Sequence, residues 1–198
     1  MSTNPGRRRR RADAVRNREL ALEAATALLA EPDATLTVEA IAQRAGLGAA
    51  TVVRAFGGKN ALMDAAVAGL LEPVVRRARE LLETASAEQA LRTFLAELIA
   101  FQSAHHAISG QLFGLDLPAT TALRKRLVET AEEMIIEAQR DGTIRTDLEP
   151  AVITTLIGET AYAIARTRPA SEELTGAFIA VMMDGLRPPV IGSPTAII

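Results

Sequence analysis

The chain has 198 residues, 48% of them hydrophobic, with two histidines and no cysteine; this allows one sizeable core, or a small module joined to a larger one, and excludes a wholly disordered chain, a disulfide framework and a thiolate site. No run of about 18 apolar residues could span a bilayer, so a cytoplasmic protein without membrane association is expected. The net charge of −2 hides an asymmetry: residues 1–59 carry ten Lys or Arg against six Asp or Glu, residues 60–198 twelve against eighteen, and a basic front on an acidic body favours a polyanionic partner at the N-terminal end.

Nearly every segment has helical period and none alternates over strand length, which predicts an all-α fold. Five consecutive arginines, Arg7, Arg8, Arg9, Arg10 and Arg11, open the chain and lead into "ADAVRNREL" rather than an apolar leader. Residues 1–12 read as a flexible basic arm. A first helix is expected over residues 13–31, with Leu22, Ala25 and Leu29 as its buried stripe and "EPD" as its stop. "TVEAIAQRAG" predicts a short second helix capped by Thr37, with Ile41, Ala42 and Ala45 inward and Gly46 ending it. "LGAATVVRAF" predicts a third, with Leu47, Val52 and Phe56 apolar and "GGK" breaking it. Residues 13–59 thus form a compact three-helix module.

Residues 60–187 form a larger helical domain. Helices are expected over 60–84, interrupted at Glu72-Pro73, then over 88–106, 119–140, 150–166 and 171–186, with a short helical piece at 108–115. The tail "PPVIGSPTAII", residues 188–198, has Pro and Gly spacing that no helix tolerates and is expected to be irregular.

Two short helices joined by "AGLG" have the layout of a helix-turn-helix. The second would present Gly48, Ala49, Ala50, Thr51 and Arg54 outward: small residues let a backbone lie deep in a major groove, Thr51 can meet a phosphate or a thymine methyl, and Arg54 can reach phosphate. "TVEAIAQRAGLGAATVVRAFGGKNAL", residues 37–62, resembles the DNA-binding signature of the tetracycline-repressor (TetR) family, with "ALEAATALLAE" resembling its first helix. The combination is specific: "IAQRAGL", then Thr51, Phe56 and Lys59 at the family's offsets. The resemblance implies that Thr37 and Lys59 hold phosphates and that Ala49, Ala50 and Thr51 face base edges of a double-stranded operator. Val53 stands where the family often has a tyrosine reaching phosphate, Ala55 where it often has His, and Gly48 where Ser is common. With those contacts altered, the arginine run gains a role as an arm in the flanking minor groove.

The family's helical body dimerises and often binds a small molecule. In this chain residues 150–166 and 171–186 are apolar on two sides, and Val152, Leu156, Ile157, Ile164, Phe178, Met182 and Leu186 are the expected interface of a homodimer. For a small, mostly apolar effector the candidates are Phe101, Gln102 and His105 on one helix, with Met134 and Tyr162. His105 and His106, neighbours about 100° apart on a helix, do not share a metal in the i, i+4 manner. "GLGAAT" lacks the last glycine and the strand of a dinucleotide fingerprint, and "FGGKN" is no phosphate loop; no cofactor and no enzymatic activity are expected. The expected function is a DNA-binding regulator, a repressor released from a palindromic operator by its effector. The rival is a helical small-molecule-binding protein or enzyme whose front module only packs.

Overall fold

Proline at the first helical position costs no hydrogen bond, and arginine is a good helix former, so the N-terminal arginines extend a helix instead of interrupting one. In the computed structural model, which describes residues 5–29, 31, 35–105, 114–167 and 171–189 (side chains from residue 8), the first helix α1 accordingly runs Pro5–Leu29. It begins eight residues before the expected start. The arm is therefore a helical extension, with Arg8 to Arg11 exposed along it; the side chain of Arg7 lies outside the described residues. The other helices are α2 (Val38–Ala45), α3 (Ala49–Phe56), α4 (Lys59–Thr84), α5 (Ala87–Ala104), α6 (Pro118–Arg140), α7 (Pro150–Ala165) and α8 (Glu172–Gly185), with no strand among the described residues. The piece expected at 108–115 falls mostly outside the described residues, as do His106 and the tail from residue 190.

The described residues divide into two units, one built from the chain up to Val75 together with Ala104–Arg126, the other from Arg76–Ser103 and from Leu127 onward. The division falls within α4. Helix α4 itself runs unbroken through Pro73; the expected interruption is absent, because proline removes one donor but leaves the flanking hydrogen bonds available.

In the first unit, Ala21, Ala24, Ala25 and Leu29 of α1 close on Val38, Ile41 and Ala42 of α2, Val52 and Phe56 of α3, and Leu62, Met63 and Ala66 of α4. The i, i+4, i+8 line Ala21–Ala25–Leu29 is the buried stripe of α1, and Leu22, expected to begin it, is only half-buried. Small side chains on α1 let the short helices approach closely. Leu117, just before α6, joins the same core.

The second unit packs Leu91, Leu95 and Ile99 of α5, Met134 and Ile135 of α6, and Ile153 and Ile157 of α7 in its interior. Exposed ion pairs join Arg77 to Glu97 and Arg79 to Glu133, and pairs of this kind contribute little to stability. After α6, Gln139 donates to the carbonyls of Arg145 and Leu148, and the Arg145 amide donates to the Leu186 carbonyl at 2.7 Å. That loop is thereby strapped to the end of α8.

Candidate nucleic-acid interface

Helix α2 starts where Thr37 leaves extended backbone and its hydroxyl accepts from the Ala40 amide at 3.1 Å. This satisfies one of the orphan donors of the first turn. Gly46 ends the helix at φ +66°, and its amide and that of Leu47 return to carbonyls of the last turn, a left-handed closure that favours glycine. Two residues later the backbone turns into α3 at Gly48, which has no side chain to cap with; the Thr51 and Val52 amides donate instead to the Gly48 carbonyl. Gly57 closes α3 in the left-handed region. The turn between the helices and the turn after the second are thus both set by glycine.

Val52 and Phe56, four residues apart, anchor α3 in the core. The opposite side carries Ala50, Thr51 and Arg54, with Ala50 and Arg54 exposed and Thr51 half-buried. Ala49 and Val53 do not belong to that outer side: both pack against the core from its flank. The expectation that Ala49 faces outward fails because a residue three before Val52 lies beside the buried line, not across from it. Gly48 is exposed at the helix start, and Lys59 is exposed as the first residue of α4. Arg8, Arg9, Arg10, Arg11, Arg54 and Lys59 therefore all present exposed cations within the first unit, an electrostatic footprint suited to a phosphate backbone.

Comparison with known proteins agrees with this geometry. Residues 21–66 match the bacterial regulatory proteins of the tetR family, and residues 86–188 match the C-terminal domain of SbtR-like transcriptional regulators. The chain belongs to the TetR family of transcriptional regulators. It is 33% identical to a TetR transcription regulatory protein from Mycobacterium vanbaalenii over 89% of this chain and 98% of that one, with a TM-score of 0.60. A TetR transcriptional regulator from Streptomyces coelicolor is 25% identical over 86% of this chain and 98% of that one, at a TM-score of 0.60. The protein RolR, solved in complex with the ligand resorcinol, shares the fold at 16% identity and a TM-score of 0.64, over 88% of this chain and 89% of that one. No curated protein gives a significant match.

This TetR-family chain is a DNA-binding transcriptional regulator with an N-terminal helix-turn-helix and a larger C-terminal helical domain; regulators of the family are generally not enzymes. No helix among the described residues is long and apolar enough to cross a membrane.

The structure sorts the residues expected at an interface between two such regulators. Ile157 is 4% exposed, and Phe178 and Leu186 are likewise buried inside their own chain. Ile164 and Met182 are half-buried. Val152 and Leu156 remain outside, and Leu156 is 53% exposed. The exposed apolar side also includes Leu174 and Val181 of α8, the latter 73% exposed, which the sequence reading missed. Their i, i+7 spacing, with Ala177 between them, was the available signal.

The effector candidates separate similarly. Phe101, Gln102 and His105 are half-buried at and just beyond the last turn of α5, and the Gln102 Oε1 is buried with no hydrogen-bond partner among the described residues. Met134 is fully buried in the core of its unit. Tyr162 points outward from α7, with the Arg166 guanidinium 5.5 Å from its ring centroid. Tyr162 turns out to share the exposed side of α7 with Val152 and Leu156, because its position falls within the same half of the helix.

Proposed function

We propose that this regulator is a homodimeric repressor that leaves a palindromic operator when a small, mostly apolar effector binds. The observation that carries the dimer is the exposed apolar side of α7 and α8, with Val152, Leu156, Tyr162, Leu174 and Val181 on it. Large side chains of this kind in water are stabilised by a second copy of the same surface. Two recognition helices about 34–36 Å apart fit successive major grooves, and Ala50, Thr51 and Arg54 of each read one half-site. Thr37, Gly48 and Lys59 hold the flanking backbone, and Arg8 to Arg11 reach neighbouring phosphates from the helical extension of α1.

The effector is held near the end of α5, where Phe101 supplies apolar surface and the buried Gln102 Oε1 accepts a hydrogen bond from the ligand. A buried acceptor without a partner is costly, and a ligand hydroxyl relieves that cost. That RolR is solved with resorcinol, a ring with two hydroxyls, supports this ligand class. Release then follows if the effector prefers a spacing of the recognition helices that the operator does not fit, by an amount equal to its differential affinity for the two states. The test is fluorescence anisotropy with DNA from upstream of the chain's own gene, with and without hydroxylated aromatic compounds. Binding to one palindromic site that such a compound weakens supports the reading; binding that no such compound alters overturns the effector class.

A further inference from the structure

The recognition helix α3 has only eight residues, too few to persist by its own hydrogen bonds. Its two buried anchors, Val52 and Phe56, lie along one line of the helix, and only the small or half-buried Ala49, Val53 and Ala55 pack beside them. Its start has no side-chain cap. At its end the Val53 carbonyl receives the Gly57 and Gly58 amides, while the Ala55 carbonyl receives a side chain from another helix: Arg18 of α1 donates to it from Nη1 at 3.2 Å. The same guanidinium lies over the Phe56 ring, 4.1 Å from its centroid. One planar cation therefore fills an orphan carbonyl, complements the negative end of the helix and covers the face of its aromatic anchor.

We propose that Arg18 is a positioning residue for operator recognition, a clamp on the last turn of α3 that, beside the apolar contacts, sets how that end is rotated and tilted against α1. Arg11 precedes Arg18 by about two turns of α1, so the same clamp holds the arginine extension and the base-reading side of α3 in one register. This rests on the reading of α3 as the groove helix, which Thr51→Glu tests separately. Lysine does not replace Arg18 here, because its ammonium has neither the planar face that stacks on Phe56 nor the fork that reaches Ala55 at the same time.

The experiment measures the affinity of the full chain for its operator and for a scrambled duplex of equal length, across a salt series, for Arg18→Ala, Arg18→Lys, Phe56→Leu and the double variant Arg18→Ala/Phe56→Leu. The expected result is a loss of about tenfold or more in operator affinity for Arg18→Ala, the scale of one lost base-pair contact. Scrambled-duplex affinity and salt slope should stay unchanged. Arg18→Lys should resemble Arg18→Ala more than the parent, and the Arg18→Ala loss should shrink in the Phe56→Leu background. Equal losses on both duplexes, with the slope reduced by about one unit per subunit and restored by lysine, would make Arg18 a phosphate contact and overturn the proposal. Unchanged operator affinity would overturn it too. If Arg18→Ala lowers helical circular dichroism, Arg18→Lys and Phe56→Leu carry the same comparison. Thr51→Glu with unchanged operator affinity would remove α3 from the groove whatever Arg18 does.

Discussion

The carboxylate of Asp64, on α4, caps the first turn of α6 through Thr120, whose amide and hydroxyl both donate to Oδ1 at 2.8 Å. The Ala119 amide donates to Oδ2 at 2.9 Å. Both partners are buried, so a pair far apart in the chain fixes the start of α6 inside the first unit.

Burial opposes ionisation of Asp64, but the Thr120 and Ala119 amides and the Thr120 hydroxyl outweigh it and hold the carboxyl below its usual range. A carboxyl whose folded value is depressed contributes stability that is present above the unfolded value of about 3.9 and is lost as pH falls through the folded value. Asp64→Ala should therefore lower the unfolding free energy at pH 7 by about 1–3 kcal/mol. The deficit relative to the parent should narrow below about pH 4. Urea unfolding followed by circular dichroism at pH 7 and pH 3 checks both; a deficit that is the same at the two values would show that the charge is not what matters.

The two glycines of the helix-turn-helix predict opposite outcomes. Gly46 is left-handed with open space around a would-be Cβ, so Gly46→Ala should cost about 1–2 kcal/mol from backbone conformation alone. Gly48 has φ −75°, and a Cβ there would meet only Thr51 Oγ1 at 3.8 Å. Gly48→Ser should stabilise by a few tenths of a kcal/mol, roughly, by supplying the missing cap. Thermal unfolding of the two variants resolves the contrast.

Leu156→Glu and Val181→Glu should convert a dimer to folded monomers and weaken operator binding, since each places a charge where a second copy would cover it. Ile157→Glu should behave differently. That side chain is already inside its own chain, so the variant should lose helical circular dichroism. Sedimentation of the three proteins distinguishes an interface from a core, and an unchanged dimer for both Leu156 and Val181 variants would place the interface elsewhere.

Thr51→Glu should abolish specific binding while the helical signal and sedimentation stay those of the parent, because a carboxylate would meet phosphates or base edges. A gel shift on the operator reads the result.

Removing residues 1–11 should flatten the plot of log affinity against log salt by roughly 2–4 units per subunit, if two to four phosphates are neutralised at about 0.9 unit each. Specificity for the half-sites should survive, because α3 reads them. Equal slopes for full-length and truncated chains would separate the arginines from DNA.

Much of this was legible in residues close together along the chain. The all-α class, the cap at Thr37, the glycine turn at Gly46 and the buried pair Val52 and Phe56 each depend on contacts within one or two helical turns, and spacing reports such contacts directly. The start of α1 is not legible in the charge block, which reads as a flexible basic arm, although Pro5 and the helix-forming arginines permit a helix. On α7, Leu156 and Ile157 are adjacent and equally apolar, so no pattern of hydrophobicity could tell which would face its own core; packing against the rest of the chain buried one and left the other in water. The Asp64 cap and the Arg18 clamp on Ala55 and Phe56 join residues on different helices. Such pairs exist because the folded backbone brings distant helix ends together, and nothing in the local spacing of a carboxylate or a guanidinium encodes which orphan amide or carbonyl it will meet.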